Sequence, residues 1–534
     1  MALASMTMAD GDRWHGSSLR SLDLYNCVAA SMNHELVDSL ALNRPFLNLM
    51  TRGEELRTDK WDNLDDIYMH DYEEVAHKKG ALEGRRNENI SSLMMTEKKD
   101  KAVIDICRRE VGHLSTRKFA RRLANSEDLV LKLDLARKLQ KHLGCVNTVS
   151  FNAYGDIVVS GSDDRRVVLW DWETGCIKLS FNSGHNNNIF HAKIMPETDD
   201  RSIVTCAADG QVRLAAILEC GNVETKLLGR HKGRAHKLAN EPMSPQVFYT
   251  CGEDGLVQHF DLRTRKATEL FTCQPVRGRY FTPVVHLNAI AIDPLNPNLF
   301  VIAGSDEFTR LYDIRRYTYD ASAAFGKPVD HFCPEHLLGN ENVGITGVAF
   351  SNQSELLISY SEEFIYLFSK DMGWGSNINS VLDDHHHLTA NSESEIDTDS
   401  KPGPQVFKGH RNCMTVKGVS FFGANEYVVS GSDCGRMFIW KKKDAKLIRV
   451  MDADKQVVNC IKPHPRTLML ASCGIDWDIK IWTPTALEKA SPPVNISRLG
   501  PGTNHWMVSP RDMAIELLAM RSQQMSPERG PNGE

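Results

Sequence analysis

His142, Ser160 and Asp164, with Trp170 six residues beyond, are the residue types of a hydrolase charge relay. A serine nucleophile, a histidine base and an orienting carboxylate would perform acyl transfer. The same ingredients return along the chain, however. Gly184-His185 precedes Asp209, Arg230-His231 precedes Asp254, and Gly409-His410 precedes Asp433. A catalytic constellation occurs once, whereas a repeated one ties elements together. An aspartate in a tight turn accepts backbone amides and the histidine of the preceding loop. The histidine then reaches a Ser or Thr, and that hydroxyl meets the indole of the closing Trp. Such a chain satisfies buried polar groups across several strands. His142, Ser160, Asp164 and Trp170 are therefore read as a structural tetrad, with no catalytic residue among them.

A second recurring set is Asp254, Phe260, Asp261 and Arg263, followed by Asp306, Tyr312, Asp313 and Arg315. An arginine two residues past an aspartate leaves its strand at one end of the repeat. There it can offer a bidentate guanidinium to an acceptor on a partner. The plainer alternative pairs each arginine with the carboxylate of its own repeat, which on a wet surface contributes little.

The elements that position these residues form a repeat. Seven turns, each carrying an acid, lead into short apolar runs that close at Trp170, Ala215, Phe260, Tyr312, Phe368, Trp440 and Trp482. In six copies the turn acid stands six residues before the closing position; in the sixth, Asp433 stands seven before Trp440. The closing positions are 45, 45, 52, 56, 72 and 42 residues apart. A WD-type blade of four strands takes ~40–45 residues, so the longer steps carry insertions. One blade leaves an apolar face that only a neighbour can cover, and seven must close in a ring. The expected fold is all-β, a seven-bladed WD-repeat β-propeller over 143–484, with an N-terminal helical extension and partly disordered tails.

Outside the ring, residues 1–102 are polar and irregular, and are expected to be largely disordered. Residues 103–142 show helical spacing, with Arg117-Lys118-Phe119-Ala120-Arg121-Arg122-Leu123 at its centre and Ser126 as a helix cap. The insertion 371–404 holds six acids and no Lys or Arg between Leu382 and Ser400. That composition predicts a solvated, disordered loop in which Ser392 and Ser394 could accept phosphate. His331-x-Cys333-x-x-His336 and His385-His386-His387 are metal-ligand types, but neither has the second cluster that a four-ligand site needs. In the tail 485–534, Ser509 and Pro510 open a short helix over 510–521.

Net charge is -6 and the pI about 6.4, which argues against a nucleic-acid coat or a polybasic membrane binder. No apolar run reaches the ~18 residues of a spanning helix, and Met1–Arg20 lacks the layout of a secretory signal. Thirteen cysteines without a CxxC fit reduced thiols of the nucleus or cytoplasm. Phosphate-loop, HExxH and GxSxG motifs do not occur. No cofactor, no metal and no enzymatic activity is expected, and binding becomes the first hypothesis.

Gly161-Ser162-Asp163-Asp164 with Trp170-Asp171-Trp172, His231-Lys232-Gly233 with His236-Lys237-Leu238, Phe332-Cys333-Pro334, Lys408-Gly409-His410-Arg411-Asn412 and Val428-Val429-Ser430-Gly431-Ser432-Asp433-Cys434-Gly435 resemble the WD-repeat cullin-four-associated factors, closest to their eighth numbered member. The likeness covers essentially the whole ring. It implies a substrate-recognition subunit of a cullin-four RING ubiquitin ligase that binds the damaged-DNA-binding adaptor and presents a protein substrate. Carried over, the adaptor contacts are Asp254, Asp261, Arg263, Asp306, Tyr312, Asp313 and Arg315, with the helical segment near 104–139 inserting into the adaptor. Phe260 departs from the Trp or Tyr usual there. Ubiquitin transfer would belong to other subunits. The rival readings are a WD-repeat scaffold without ligase attachment, such as a histone-tail reader, and an enzyme using channel histidines and acids.

Overall fold

In the computed structural model, residues 104–491 and 493 are described, apart from 243, 265, 277–282, 317–325, 341, 384–402 and 414. The expectations for residues 1–102, for the histidine run and the two serines of the acidic insertion, and for a helix at 510–521 lie outside the described residues. Among those that are described, the fold is a seven-bladed propeller of four-stranded sheets. The first sheet runs in the order Val146–Phe151, Ile157–Ser162, Arg166–Asp171, Ile177–Asn182. Middle strands carry near-continuous apolar runs because both of their faces are covered. Val158, Val159, Val167 and Val168 are fully buried.

Six of the seven innermost strands pair with a bulge near their start, as between Val146 and Thr148. One extra residue sharpens the local twist, which a radial sheet narrowing towards its axis requires. Ring closure is carried by Val146–Phe151, which touches Ile189–Ile194 of blade 2 on one side and Val458–Pro463 of blade 7 on the other. The seventh sheet takes its outer strand from ahead of the first blade. Its order is Asp134–Gln140, Asp478–Thr483, Leu470–Gly474, Val458–Pro463. This corrects the helical assignment of 103–142: residues 134–140 are a strand. Their leucines satisfy a helical spacing, but an edge strand of the last sheet was waiting for them.

By contacts, the described residues divide into two compact units: 104–136 with 466–469 and 482–490, and the remainder. In the first unit, residues 104–110, Thr116–Ala124 and Glu127–Leu131 are helical. Ser115 caps the second helix by accepting Lys118 N–H at 3.3 Å, and Arg121 and Arg122 favour its negative end. Arg122 pairs with Asp105 at 2.6 Å, and Arg109 lies over the Phe119 ring. Ser126 stands at the start of the third helix but makes no side-chain cap bond. Ala486 and Ala490 donate backbone N–H groups to Lys132 and Leu131.

The insertion 371–404 also needs correction, since its first third is ordered. Trp374 donates its backbone N–H to His331 and its indole N–H to Cys333 O at 2.7 Å. Residues 378–383 are helical, with Ile378 and Leu382 in the core beside Phe332 and Tyr366. Acid content made this stretch look solvated, yet its apolar residues sit at helix spacing and have a groove to fill. His331 donates Nδ1–H to Gly375 O, the Cys333 thiol is buried, and His336 bonds the Tyr366 hydroxyl. These three side chains serve separate partners instead of gathering as a half-site.

Candidate functional site

Each blade has two ends. At one end lie the turn acids and their histidines. His142 Nδ1 meets Asp164 at 2.9 Å, His142 Nε2 meets Ser160 Oγ at 2.8 Å, and Trp170 Nε1–H donates to the same Oγ at 2.9 Å. Blades 2 and 3 repeat the set with His185, Asp209 and Thr205, and with His231, Asp254 and Thr250. Burial would raise the Asp164 and Asp254 carboxyls, but their histidine and amide bonds hold both below the ordinary range.

Four blades depart from the pattern; in blade 5 the turn acid is Glu362, and no histidine bonds it among the described residues. In blade 4 no histidine bonds Asp306 among the described residues; Arg310, four residues on, grips it with two bonds of 3.0 and 2.5 Å. In blade 7 Asp454 occupies the histidine position, and Lys480 bridges Asp454, Asp476 and Asp478. Those three carboxylates are the one group among the described residues with metal-ligand spacing, and a lysine already fills its centre. In blade 6 the pairing of Ser430 with Phe438 matches that of Ser160 with Val168. Cys434, not Asp433, therefore stands where the tetrad acid belongs, and the turn is of ordinary length. Asp433 turns aside to pair with Lys417. His410 is left buried with neither ring nitrogen bonded among the described residues.

At the other end lie the turns that follow the third strands. Asp261 ends the strand Leu256–Asp261, and Asp313 ends Thr309–Asp313. Each carboxylate accepts its arginine's own backbone N–H and then its side chain. Arg263 Nε donates to Asp261 Oδ1 at 3.0 Å and Nη2 to Oδ2 at 2.7 Å. Arg315 repeats this on Asp313 at 3.0 and 2.6 Å. Hydrogen bonds from the arginines hold both carboxyls below the usual range. Two of the five guanidinium N–H groups are used, so the Nη1 edge of each remains for an external acceptor. The side chains are 70% and 63% exposed. Blade 1 makes the same turn on Asp171 but places Glu173 where the arginine would be.

The seven residues expected to contact an adaptor therefore separate. Asp261, Arg263, Asp313 and Arg315 share the exposed end. Asp254 lies at the far end of its strand, ~20 Å away at ~3.3 Å per residue, with a side chain only 9% exposed. Asp306 lies with Arg310, 3% exposed. Tyr312 is interior, stacked on Phe271 at 4.3 Å. These three are corrected from contact to support. Phe260 is likewise buried and stacked on Phe248, so its departure from Trp or Tyr leaves the surface unchanged.

Sequence reasoning missed several neighbours at this end. Glu241 is half-buried, which raises its carboxyl, while Arg263 works in the opposite direction. Leu295 is 64% exposed in the turn Asp293-Pro294-Leu295-Asn296. A leucine at the tip of an Asp-Pro turn was the available signal. Beside it a cavity of about 70 Å³ is lined by Asp293, Leu299, Ser354, Ser369 and Lys370, with Lys370 3.7 Å from the buried Asp293 carboxylate.

The family described as WD domain, G-beta repeat matches residues 133–171, 404–441 and 445–483. Protein ALTERED SEED GERMINATION 2 of Arabidopsis thaliana is 34% identical over 55% of this chain and 44% of its own length. The human WD and tetratricopeptide repeats protein 1 is 23% identical over 71% of this chain and 89% of that protein. DDB1- and CUL4-associated factor 6 of mouse is 30% identical over 49% of this chain and 31% of that protein. The chain thus spans less than half of the Arabidopsis relative and about a third of the mouse one. It is a seven-bladed propeller that carries WD40 repeats and is similar, over about half its length, to a DDB1- and CUL4-associated factor.

Proposed function

We propose that this chain is a substrate-recognition subunit of a cullin-four RING ubiquitin ligase, closest in kind to the eighth numbered cullin-four-associated factor. It docks on the damaged-DNA-binding adaptor through Arg263 and Arg315 and holds a protein substrate elsewhere. The observation that carries this reading is the duplicated fork: two consecutive blades fix an exposed arginine in the same pose and leave the same N–H edge outward. Pre-set orientation lowers the ordering cost of binding, and arginine suits a planar acceptor. Similarity to a DDB1- and CUL4-associated factor supports the choice of partner. The helical segment 104–131 is a second adaptor contact in this proposal, and the complex works in the nucleus, the cytoplasm or both.

Affinity purification with the adaptor tests it, comparing wild type with Arg263→Ala/Arg315→Ala. Truncating a charged contact that a partner buries costs ~2–5 kcal/mol, enough to empty the complex. The expected result is loss of adaptor with an unchanged Tm. Wild type without adaptor, or a double variant that retains it fully, would refute the assignment.

A further inference from the structure

Lys193, Lys237 and Lys462 lie on the innermost strands of blades 2, 3 and 7. These strands are neighbours around the axis. Ile189–Ile194 touches Ala235–Asn240, and both Ile189–Ile194 and Val458–Pro463 touch Val146–Phe151 of blade 1 between them. Register places the lysines on the same face of their strands at two successive levels. Lys237 is the first paired residue past its bulge, opposite Cys251. Lys193 and Lys462 stand two residues further along theirs, opposite Val204 and Ala471. At those same positions blades 4 and 5 carry Ala289, Ala291, Gly347 and Ala349. One sector of the channel therefore bears three long cationic side chains, and the facing sector bears almost no side chain.

None of the three lysines makes an ion pair or hydrogen bond with a carboxylate among the described residues. This contrasts with Lys417 and Lys480, which are buried and both paired. Burial lowers Lys193 to about 7, and Lys462 and Lys237 push it further in the same direction. Burial likewise lowers Lys462. His191 is driven well down by burial and by all three lysines. Its Nδ1 accepts the Leu238 N–H at 3.2 Å, and no carboxylate bonds it among the described residues. All three lysines are half-buried, and clustered ammonium groups without a paired carboxylate repel one another unless an anion joins them. Their convergence in a chain of net charge -6 is thus a localised exception.

We propose that the central channel is a binding site for a small phosphate-bearing anion, held by Lys193, Lys237 and Lys462. Three point-charge donors spread over three strands match the oxygens of one or two tetrahedral phosphates. Positions at mid-depth on the strands suit a compact anion more than a threaded polypeptide. The same charges would repel a Lys- or Arg-rich tail, which counts against a histone-tail reader using this channel.

Inorganic tripolyphosphate is the probe, added to the full chain. Wild type should show a saturable rise in Tm that sodium chloride and sodium sulfate at matched ionic strength do not reproduce. At pH 8 calorimetry should show proton uptake on binding, because Lys193 is mostly neutral beforehand and recovers its charge beside the anion. Lys193→Met/Lys462→Met should fold with a Tm no lower than wild type, since it removes unpaired charge. Its affinity should fall by about ten-fold or more for each charge-assisted bond lost. Three outcomes would overturn the assignment: no saturable response in wild type, binding without proton uptake, or a response unaltered in the double variant. Stabilisation by a poly-glutamate peptide but not by tripolyphosphate would overturn it too, and would assign the channel to acidic polypeptide.

Discussion

Replacing Cys434 with Asp should stabilise the sixth blade, and more so in acid. His410 is 7% exposed and, among the described residues, has no hydrogen-bond partner on either ring nitrogen. Its counterparts His142, His185 and His231 each meet a carboxylate at 2.9 to 3.1 Å. Burial, and secondarily the charge of Lys417, lowers His410 to about 4, with Asp433 opposing. In the unfolded chain it would titrate near ~6.5. Because the folded value is depressed, the unfolded state takes up the proton first as pH falls. Stability is therefore full above ~6.5 and declines towards 4 at ~1.4 kcal/mol per pH unit, which comes to about 2 kcal/mol by pH 5. A carboxylate at 434 gives the ring a charged acceptor. Set against the burial of a new acid, this should gain about 1 kcal/mol at pH 7. It should also lift the histidine's pKa and so remove most of the acid loss, widening the difference to about 3 kcal/mol at pH 5. Adjacent Asp433 is no obstacle in kind, since Asp163 and Asp164 stand side by side in blade 1. Urea unfolding at pH 7 and pH 5 would measure this for wild type, Cys434→Ala and Cys434→Asp. His410→Phe serves as a control that lacks the titrating group. Cys434→Asp less stable than Cys434→Ala at both pH values, or a difference that does not grow on acidification, would refute the reasoning.

Two further outcomes follow from the same geometry. Arg310→Leu leaves the Asp306 carboxylate buried without its two bonds and should cost ~3–5 kcal/mol in urea unfolding, whereas Asp306→Leu/Arg310→Leu should recover a large part of that loss. Asp261→Asn/Asp313→Asn releases the arginines from their forks at an exposed end, so stability should stay within about 0.5 kcal/mol. Adaptor capture should nevertheless weaken, because the guanidinium groups lose their fixed pose.

The sequence by itself determined the repeat. Blade count, closing residues, the blade 1 tetrad and the His–Asp pairs of blades 2 and 3 depend on contacts within ~45 residues, and local spacing records such contacts. It also determined the Asp-x-Arg forks, whose bonds span two residues. Tertiary structure decided everything that depended on long-range pairing. Residues 134–140 became a strand because their partner, Asp478–Thr483, lies about 340 positions later. Asp254 and Asp306 separated from Arg263 and Arg315 because a strand carries its two ends to opposite edges of the blade, however close they stand in sequence. Arg310 and Lys480 took over from missing histidines because a residue four places on faces back towards the turn acid only once the hairpin has formed. The three channel lysines, 44 and 225 residues apart in sequence, met because ring closure brings the first and last blades together. No periodicity along the chain encodes that meeting.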